Sequence, residues 1–255
     1  MTGLRFASLG SGSSGNATII ADESSTLLID CGFSFRELER RLSRLDLSFG
    51  DVSGILITHE HGDHAKGVAT IARRFDTPIY MSRGTQLAAK FESLESIQTI
   101  TAGQVFSCAG FSILPVTVPH DAREPLQFVV SKHDKKIGVL TDLGSVSEHV
   151  VEAFSGCDGL LLEANHDLEL LARGPYPVSL QRRVSGAWGH LNNQQTANLI
   201  SRIDIERLQE LVVGHISLKN NCLDRVKAAL ADVTRKLPQV RYACQDQGID
   251  WLSIS

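Results

Sequence analysis

Residues 55–64 read Ile-Leu-Ile-Thr-His-Glu-His-Gly-Asp-His, an apolar segment that runs directly into three histidines and an aspartate. The apolar residues at 55–57 are typical of a short buried strand. If the following polar groups were only structural, each would need a separate partner at the edge of a sheet. A shared metal ion satisfies them together, because imidazole and carboxylate are common ligands of divalent ions. The segment therefore predicts a metal site immediately after a buried strand.

The spacing within this segment is compatible with two ions. In an extended chain His59 and His61 point the same way, since side chains repeat every second residue, so both can bind one ion. Asp63 and His64 lie beyond the turn at Gly62, at the start of a predicted helix, and can face a second ion. The helical zinc-protease pattern HExxH is absent, which excludes that kind of site.

Three further candidate ligands each follow a segment that is typical of a strand, namely His120, Asp142 and His215. Taken singly, each is as compatible with an ordinary loop as with a metal ligand. Taken together, in a chain that already needs more ligands, they favour one site at the edge of a sheet.

The chain has 255 residues, and its 25 Lys and Arg against 29 Asp and Glu give a formal net charge of −4. It therefore lacks an overall basic field, and a polyanionic substrate needs a local positive site. The five cysteines are scattered without a CxxC pair, which is typical of a reduced cytosol rather than a disulfide framework. No run of about 18 apolar residues occurs. We expect a cytoplasmic protein without a membrane partner.

Strand-type and helix-type segments occur in both halves of the chain, without a linker, repeat or low-complexity tract between them. Helical periodicity is expected over Phe35–Leu45, near His64–Arg74 and over His166–Ala172. The order of segments predicts two sheets packed together with helices outside, built from two similar halves. This is an α/β (α+β) fold, a four-layer αββα sandwich, in one domain over residues 1–255.

Residues 10–15, Gly-Ser-Gly-Ser-Ser-Gly, match the dinucleotide-binding pattern GxGxxG. The residues that follow, Asn16–Ile20, are β-branched and end at a turn, whereas a bound phosphate needs a helix N-terminus there. No nucleotide cofactor is therefore expected. Two interpretations stay open: a glycine-rich turn between strands, or a loop at the lip of an active site that holds an oxyanion. Under the second, Ser11, Ser13 and Asn16 are candidate substrate contacts.

The set His59-x-His61-x-Asp63-His64, His120, Asp142 and His215 resembles the metal motifs of the metallo-β-lactamase-fold hydrolases. The resemblance implies the αββα sandwich with a dinuclear site at one sheet edge. It implies that His59, His61 and His120 bind one ion, that Asp63, His64 and His215 bind the other, and that Asp142 bridges both. Either zinc or manganese suits such ligands.

Two further segments, Leu161–Asp167 and Gly189–Leu191, resemble parts of the tRNA-processing endonuclease tRNase Z. That likeness implies a Glu163–His190 pair beside the metals. The arm that grips a tRNA is missing, and Leu218–Asn221 stands where an Arg-Tyr is expected, so a tRNA substrate is not favoured.

The chain is more similar still to a compact bacterial group, called YycJ or WalJ. The shared features are residues 10–16, His120-Asp121-Ala122, Asn165-His166-Asp167, Gly174-Pro175-Tyr176-Pro177, Gly189-His190-Leu191, His215-Ile216-Ser217 and Asn220-Asn221. The resemblance implies a metal-dependent DNA exonuclease, usually acting 5′ to 3′, with a link to mismatch repair.

These inferences combine into one hypothesis, a dinuclear phosphodiesterase that cleaves DNA. Two divalent ions, less the charges of Asp63, Asp142 and one hydroxide, leave a formal +1 that attracts a phosphodiester. His190 is expected to protonate the leaving oxygen and Glu163 to orient it, although the pair is also compatible with a structural helix cap. Further candidate substrate contacts are His166, Asn220 and Asn221, and candidate phosphate contacts are Arg182, Arg183 and Lys219.

Two other functions remain open from the sequence. One is a small-molecule hydrolase that acts on a thioester, a lactone or a cyclic phosphate. The other is a metal-containing protein that only binds nucleic acid or a regulator, without turnover.

Overall fold

A computed structural model describes residues 3–255 and shows alternating strands and helices. The strands are β1 (Leu4–Gly10), β2 (Ala17–Ala21), β3 (Thr26–Ile29), β4 (Gly54–Leu56), β5 (Ile79–Ser82), β6 (Ile97–Ile100), β7 (Phe106–Cys108), β8 (Phe111–Thr117), β9 (Leu126–Lys132), β10 (Lys135–Leu140), β11 (Gly159–Glu163), β12 (Glu210–Gly214), β13 (Val240–Tyr242) and β14 (Ile249–Ile254). The α-helices are α1 (Phe35–Leu42), α2 (Gly62–Ala65), α3 (Val68–Ala72), α4 (Arg83–Ala88), α5 (Glu148–Phe154), α6 (Leu168–Arg173), α7 (Val178–Val184), α8 (Asn193–Arg202) and α9 (Leu223–Thr234).

The strands form two seven-stranded mixed sheets. The first has the order β14-β1-β2-β3-β4-β5-β6, and the second has the order β13-β12-β11-β10-β9-β8-β7. In each sheet an antiparallel part adjoins a parallel part, with β3, β4, β5 and β6 parallel in the first and β10, β11, β12 and β13 parallel in the second. Parallel strands end at the same edge, so each sheet presents a row of carboxyl ends.

Three apolar layers hold the fold together. The inner faces of the two sheets pack against each other through residues such as Phe6, Phe111 and Phe128. Helices α1 and α3 cover the outer face of the first sheet, where Leu38 is fully buried. Helices α5, α8 and α9 cover the outer face of the second, where Leu199 is fully buried. The predicted four-layer αββα sandwich is confirmed.

The sequence patterns misplaced some elements. Strands β6 and β7 were not predicted, because most of their side chains are exposed or half-buried and show no continuous apolar run. The helix expected near His64–Arg74 is two short helices, α2 and α3, separated at Gly67. A Cβ at Gly67 would collide with the Cys31 side chain, so glycine permits the close approach that breaks the helix.

The third predicted helix begins later than expected. Helix α6 starts at Leu168 because the Asp167 side chain accepts hydrogen bonds from the backbone N–H groups of Glu169 and Leu170. His166 therefore lies before the helix, in an isolated bridge with Asn192. Within residues 3–255, no helix has the length and apolar character needed to cross a membrane.

Candidate metal centre

One group of ligand atoms comes from the segment after β4 and from the end of β8. The Nε2 atom of His59 lies 3.0 Å from Nδ1 of His61, and that Nδ1 lies 3.4 Å from Nε2 of His120. His59 and His120 are buried. These three nitrogens are close enough together to bind a single ion.

A second group forms next to the first from helix α2 and the end of β12. The Nε2 atom of His64 lies 3.5 Å from Oδ2 of Asp63, and Nε2 of His215 lies 4.0 Å from the same oxygen. These three side chains also offer ligand atoms within reach of one ion.

Asp142, the second residue after β10, lies between the two groups. Its Oδ2 is 3.2 Å from Nε2 of His64, and its Oδ1 is 3.9 Å from Nε2 of His120 and 3.4 Å from Nδ1 of His215. Oδ2 is buried, and no donor in the described part of the chain makes a hydrogen bond to it. An unsatisfied buried carboxylate oxygen is costly, and a metal ion is a partner that would satisfy it. The seven side chains thus fit divalent metal binding.

Hydrogen bonds on the far side of three imidazoles fix which nitrogen faces the centre. Nδ1 of His64 lies 2.7 Å from Asp30 Oδ2, and Nδ1 of His120 lies 2.9 Å from the Gly189 carbonyl oxygen. Nδ1 of His59 is 3.0 Å from the Thr58 hydroxyl. In His64 and His120 the Nδ1–H group donates outward, which directs Nε2 toward the centre.

Asp30 is a part of this centre that the sequence analysis missed. It is buried at the end of β3, and its carboxylate also accepts hydrogen bonds from the backbone N–H and the hydroxyl of Thr58. The only signal in the sequence was its place after an apolar segment. In the structure that segment is β3, which is parallel to β4, the strand that leads into the histidines. That pattern does not show which residue its carboxylate contacts.

Three residues of the centre have a left-handed backbone. The φ angles are 63° for Asp30, 54° for Asp142 and 50° for His215, each at the end of a strand. Such angles are uncommon for residues other than glycine, although aspartate and histidine adopt them more readily than most. These backbone angles let the chain turn sharply at the end of the strand while the side chain stays at the sheet edge that carries the metal ligands.

Buried charges of opposite sign support each other in the centre. Burial disfavours the carboxylate of Asp142, but the charges of His215 and His64 outweigh it and hold the pKa of Asp142 well below its usual value. Burial likewise disfavours the imidazolium of His64, but Asp142 and Asp30 raise its pKa well above the usual value, so a metal ion that binds Nε2 must displace the proton there. Asp142 is therefore ionised, as a metal ligand must be.

Glu163 and His190 form a pair beside these ligands. Glu163 is the last residue of β11 and is fully buried; its Oε1 accepts hydrogen bonds from the backbone N–H groups of Leu143 and Leu191. Its Oε2 lies 3.1 Å from Nδ1 of His190 and 3.3 Å from Nδ1 of His215. Glu163 therefore holds both the ligand His215 and the half-buried His190.

The same contacts determine the charges of the pair. Burial raises the pKa of Glu163, but the charge and hydrogen bond of His190, together with the hydrogen bond of His215, lower it to about 2. Burial lowers the pKa of His190, but the Glu163 charge and hydrogen bond raise it to about 9. The pair is an ionised carboxylate next to an imidazolium at neutral pH, with Nε2 of His190 available to a substrate.

The centre opens into a cavity of about 340 Å³. Among the candidate substrate contacts, Ser13 and Asn220 line it. Ser11 does not; it is buried, and its hydroxyl accepts a hydrogen bond from the backbone N–H of His215. Asn16 is buried as well, with Nδ2 3.0 Å from Nε2 of His64, so it contacts a ligand rather than the cavity.

Among the other candidate substrate and phosphate contacts, some are likewise buried away from the cavity and one lines it. Asn221 is buried and hydrogen-bonds Asn193 and the Ala164 carbonyl, away from the cavity. His166 is buried with no hydrogen bond to either ring nitrogen within residues 3–255, and burial lowers its pKa to about 4. Arg183 lines the cavity and forms an ion pair with Asp121, a cavity residue to which the sequence assigned no role beyond the shared motif His120-Asp121-Ala122.

The glycine-rich loop between β1 and β2 is held mainly by contacts within the protein. The backbone N–H of Gly12 donates to the Asn16 side chain, and that of Ser14 donates to Gln245. The N–H of Gly15 donates to the Gly12 carbonyl. These contacts favour the interpretation as a structural turn, and β2 directly after it confirms the strand predicted there.

Replacing Asp30 with asparagine is expected to lower metal affinity by about 10- to 100-fold, the usual effect of losing the partner of a ligating histidine. The reason is that Asp30 orients His64 through the 2.7 Å contact at Nδ1. Competition with a coloured chelator would measure the affinity. The matched control is Asp46→Asn, since Asp46 also has a left-handed backbone, with φ of 57°, but is exposed on a surface turn. Equal affinities for the Asp30 variant and the unmodified protein would contradict the assignment.

The fold and the ligand arrangement define a metallo-β-lactamase-type hydrolase, and comparison with known proteins agrees. The family profile described as "Beta-lactamase superfamily domain" matches residues 25–216. The chain is 32% identical over 236 residues to the exodeoxyribonuclease YycJ of Bacillus anthracis, covering 91% of this chain and 89% of that protein. It is 33% identical over 225 residues to the exodeoxyribonuclease WalJ of Streptococcus pneumoniae, with coverage of 86% and 84%. The chain thus belongs to the metallo-β-lactamase superfamily of hydrolases, among the homologues of YycJ and WalJ.

Solved structures show the same fold at low sequence identity. The metallo-β-lactamase fold protein YhfI of Bacillus subtilis superposes with a TM-score of 0.73 at 13% identity, covering 99% of this chain and 100% of that one. The short form of human tRNase Z superposes with a TM-score of 0.64 at 20% identity, with coverage of 98% and 99%.

Proposed function

We propose that this protein is a metal-dependent nuclease, a 5′-to-3′ DNA exonuclease that uses two divalent ions. The observation that carries the proposal is that one cavity is lined by His190, which Glu163 holds from behind, and by the metal-ligand candidates His61, Asp63, Asp142 and His215. The exodeoxyribonuclease names of YycJ and WalJ support DNA as the substrate and a terminal mode of attack. A place in DNA repair, in the cytoplasm, follows as part of the same proposal.

The residues that would hold the ions can be divided as the resemblance implied. His59, His61 and His120 would bind one ion, and Asp63, His64 and His215 would bind the other, since the ligand atoms within each set lie close enough together for a single ion. Asp142 lies between the two positions. Zinc or manganese bound there supplies an activated water and positive charge against the phosphoryl oxygens.

Among the protein's side chains, His190 is the one that acts as general acid in bond cleavage. With ions bound, a hydroxide would attack phosphorus as the bond to the leaving oxygen breaks, and His190 would donate the proton that this oxygen takes up. Glu163 keeps His190 protonated and fixes its ring through Nδ1, so the proton at Nε2 faces outward. Glu163 is buried and absent from the cavity wall, so it acts as a positioning residue.

Digestion of end-labelled DNA by manganese- or zinc-loaded protein tests the proposal. We expect release of mononucleotides that starts at the 5′ end, so that a 5′ label is lost before a 3′ label. Protein stripped with EDTA should release nothing, and readdition of metal should restore the activity. Absence of any cleavage with either metal would overturn the proposal, and loss of the 3′ label first would overturn its polarity.

The confined cavity also suits a small-molecule hydrolase, our second candidate. Its volume of about 340 Å³ is at the low end of the range of small-ligand pockets, roughly 300–1,000 Å³. Turnover of a thioester, a lactone or a cyclic phosphate without cleavage of DNA would favour this candidate. Tight DNA binding without turnover of any substrate would favour the non-catalytic alternative.

A further inference from the structure

One side of the cavity has a chemical character unlike that of the metal centre. Leu180 and Val184, one helical turn apart on α7, line it together with Tyr176 from the loop before the helix. Helix α7 has no buried residue, so its apolar side chains do not belong to the core of the sandwich. The cavity therefore has an apolar, aromatic wall next to a floor of metal ligands.

The wall is held in position by contacts to the metal centre. Arg183 of α7 is paired with Asp121, whose Oδ1 lies 3.4 Å from Nε2 of His120. The backbone N–H of His190 donates to the Val184 carbonyl at 2.9 Å, directly after the end of the helix. The wall and the floor are thus parts of one pocket.

Tyr176 is the aromatic member of the wall and is itself constrained. Pro175 and Pro177 flank it and restrict the backbone on both sides. The Gln181 side chain donates to its carbonyl oxygen at 2.9 Å. The Lys219 ammonium lies 5.7 Å from the centre of its ring, which adds a positive charge at this rim.

These features complement a single nucleotide. A nucleotide has an anionic phosphodiester at one end and a flat, largely apolar base at the other, and aromatic side chains bind bases of any sequence by stacking. We propose that Tyr176, with Leu180 and Val184, forms the stacking wall for the unpaired terminal base, while the adjoining phosphodiester lies over the metal-binding floor. This inference rests on the proposed nuclease function and defines its substrate as a single-stranded or frayed DNA end.

Substrates that lack the terminal base test the inference. We compare kcat/KM on a single-stranded oligonucleotide with that on the same strand carrying an abasic nucleotide at the attacked end. The unmodified enzyme should lose roughly 5- to 150-fold on the abasic end, the typical effect of one stacked base. Tyr176→Ala should lose a similar factor on the normal end and little more on the abasic end. Tyr176→Phe should keep the normal value, because the ring is retained.

Trp188→Ala is the matched control, since Trp188 is a 64% exposed aromatic residue close in sequence that does not line the cavity. We expect it to leave both rates unchanged, with thermal unfolding confirming that all variants are folded. Equal rates on normal and abasic ends by the unmodified enzyme would overturn the inference. So would an equal loss by Tyr176→Ala on both ends, or a loss confined to Trp188→Ala. Failure to degrade any DNA would instead overturn the proposed function.

Discussion

Replacing Asp142 with asparagine is expected to remove most of the bound metal and, with it, the hydrolytic activity. The Asp142 carboxylate faces both groups of histidines, with Oδ2 3.2 Å from His64 and Oδ1 3.9 Å from His120 and 3.4 Å from His215. Asparagine keeps the shape but loses the charge that both positions share. Loss of a residue that only hydrogen-bonds a metal ligand lowers metal affinity by roughly 10- to 100-fold. Because Asp142 is itself expected to bind the metal, its replacement should lower the affinity by more than that. Elemental analysis after gel filtration and kcat/KM on an activated phosphodiester measure the two effects.

A buried aspartate remote from the cavity provides the control. Asp158 is 1% exposed and pairs with Arg207 and Lys135. It lies directly before β11, at the opposite end of that strand from Glu163. Asp158→Asn is expected to lower the free energy of unfolding while the metal content stays the same. Full metal content in Asp142→Asn, or an equal loss of metal in Asp158→Asn, would refute the bridging role.

Replacing His190 with alanine is expected to lower kcat by about 10²- to 10⁴-fold, the usual contribution of a general acid, while the metal content is unchanged. The defect should depend on the leaving group. A nucleotide p-nitrophenyl ester expels an oxygen that needs no proton, so the variant should recover most of its rate on that ester relative to DNA. The ratio of the two rates is the measurement, because a merely structural role for His190 would affect both substrates alike.

Two further variants distinguish the effect of His190 from that of an unrelated histidine and from that of its partner Glu163. His149→Ala alters an exposed histidine on α5 and should leave both rates unchanged. Glu163→Gln should lower the rate on DNA less than His190→Ala does, because it weakens the positioning of His190 without removing it. Loss of metal from His190→Ala would instead indicate that His190 is a metal ligand. Its Nδ1 lies 3.6 Å from Asp142 Oδ1, a distance that also allows this role.

The amino-acid sequence was sufficient to predict the sandwich and to nominate the ligand set. Side-chain alternation gave the common direction of His59 and His61, and the order of strand-type segments placed His120, Asp142 and His215 at strand ends. Such local patterns depend only on backbone geometry, so they can be deduced one segment at a time. Strands β6 and β7 escaped detection because their exposed positions provide no such pattern.

The tertiary structure alone decided which polar side chains support the ligands and which reach the cavity. Asp30 contacts His64, and Ser11 contacts the backbone of His215, across 204 positions of chain in the second case. Tyr176 and Leu180 face the metal ligands because α7 is anchored to the site and not to the core. Contacts of this kind depend on how the two sheets and their loops pack in space. Residue spacing along the chain determines side-chain direction within one element, but not the distance between elements remote in sequence.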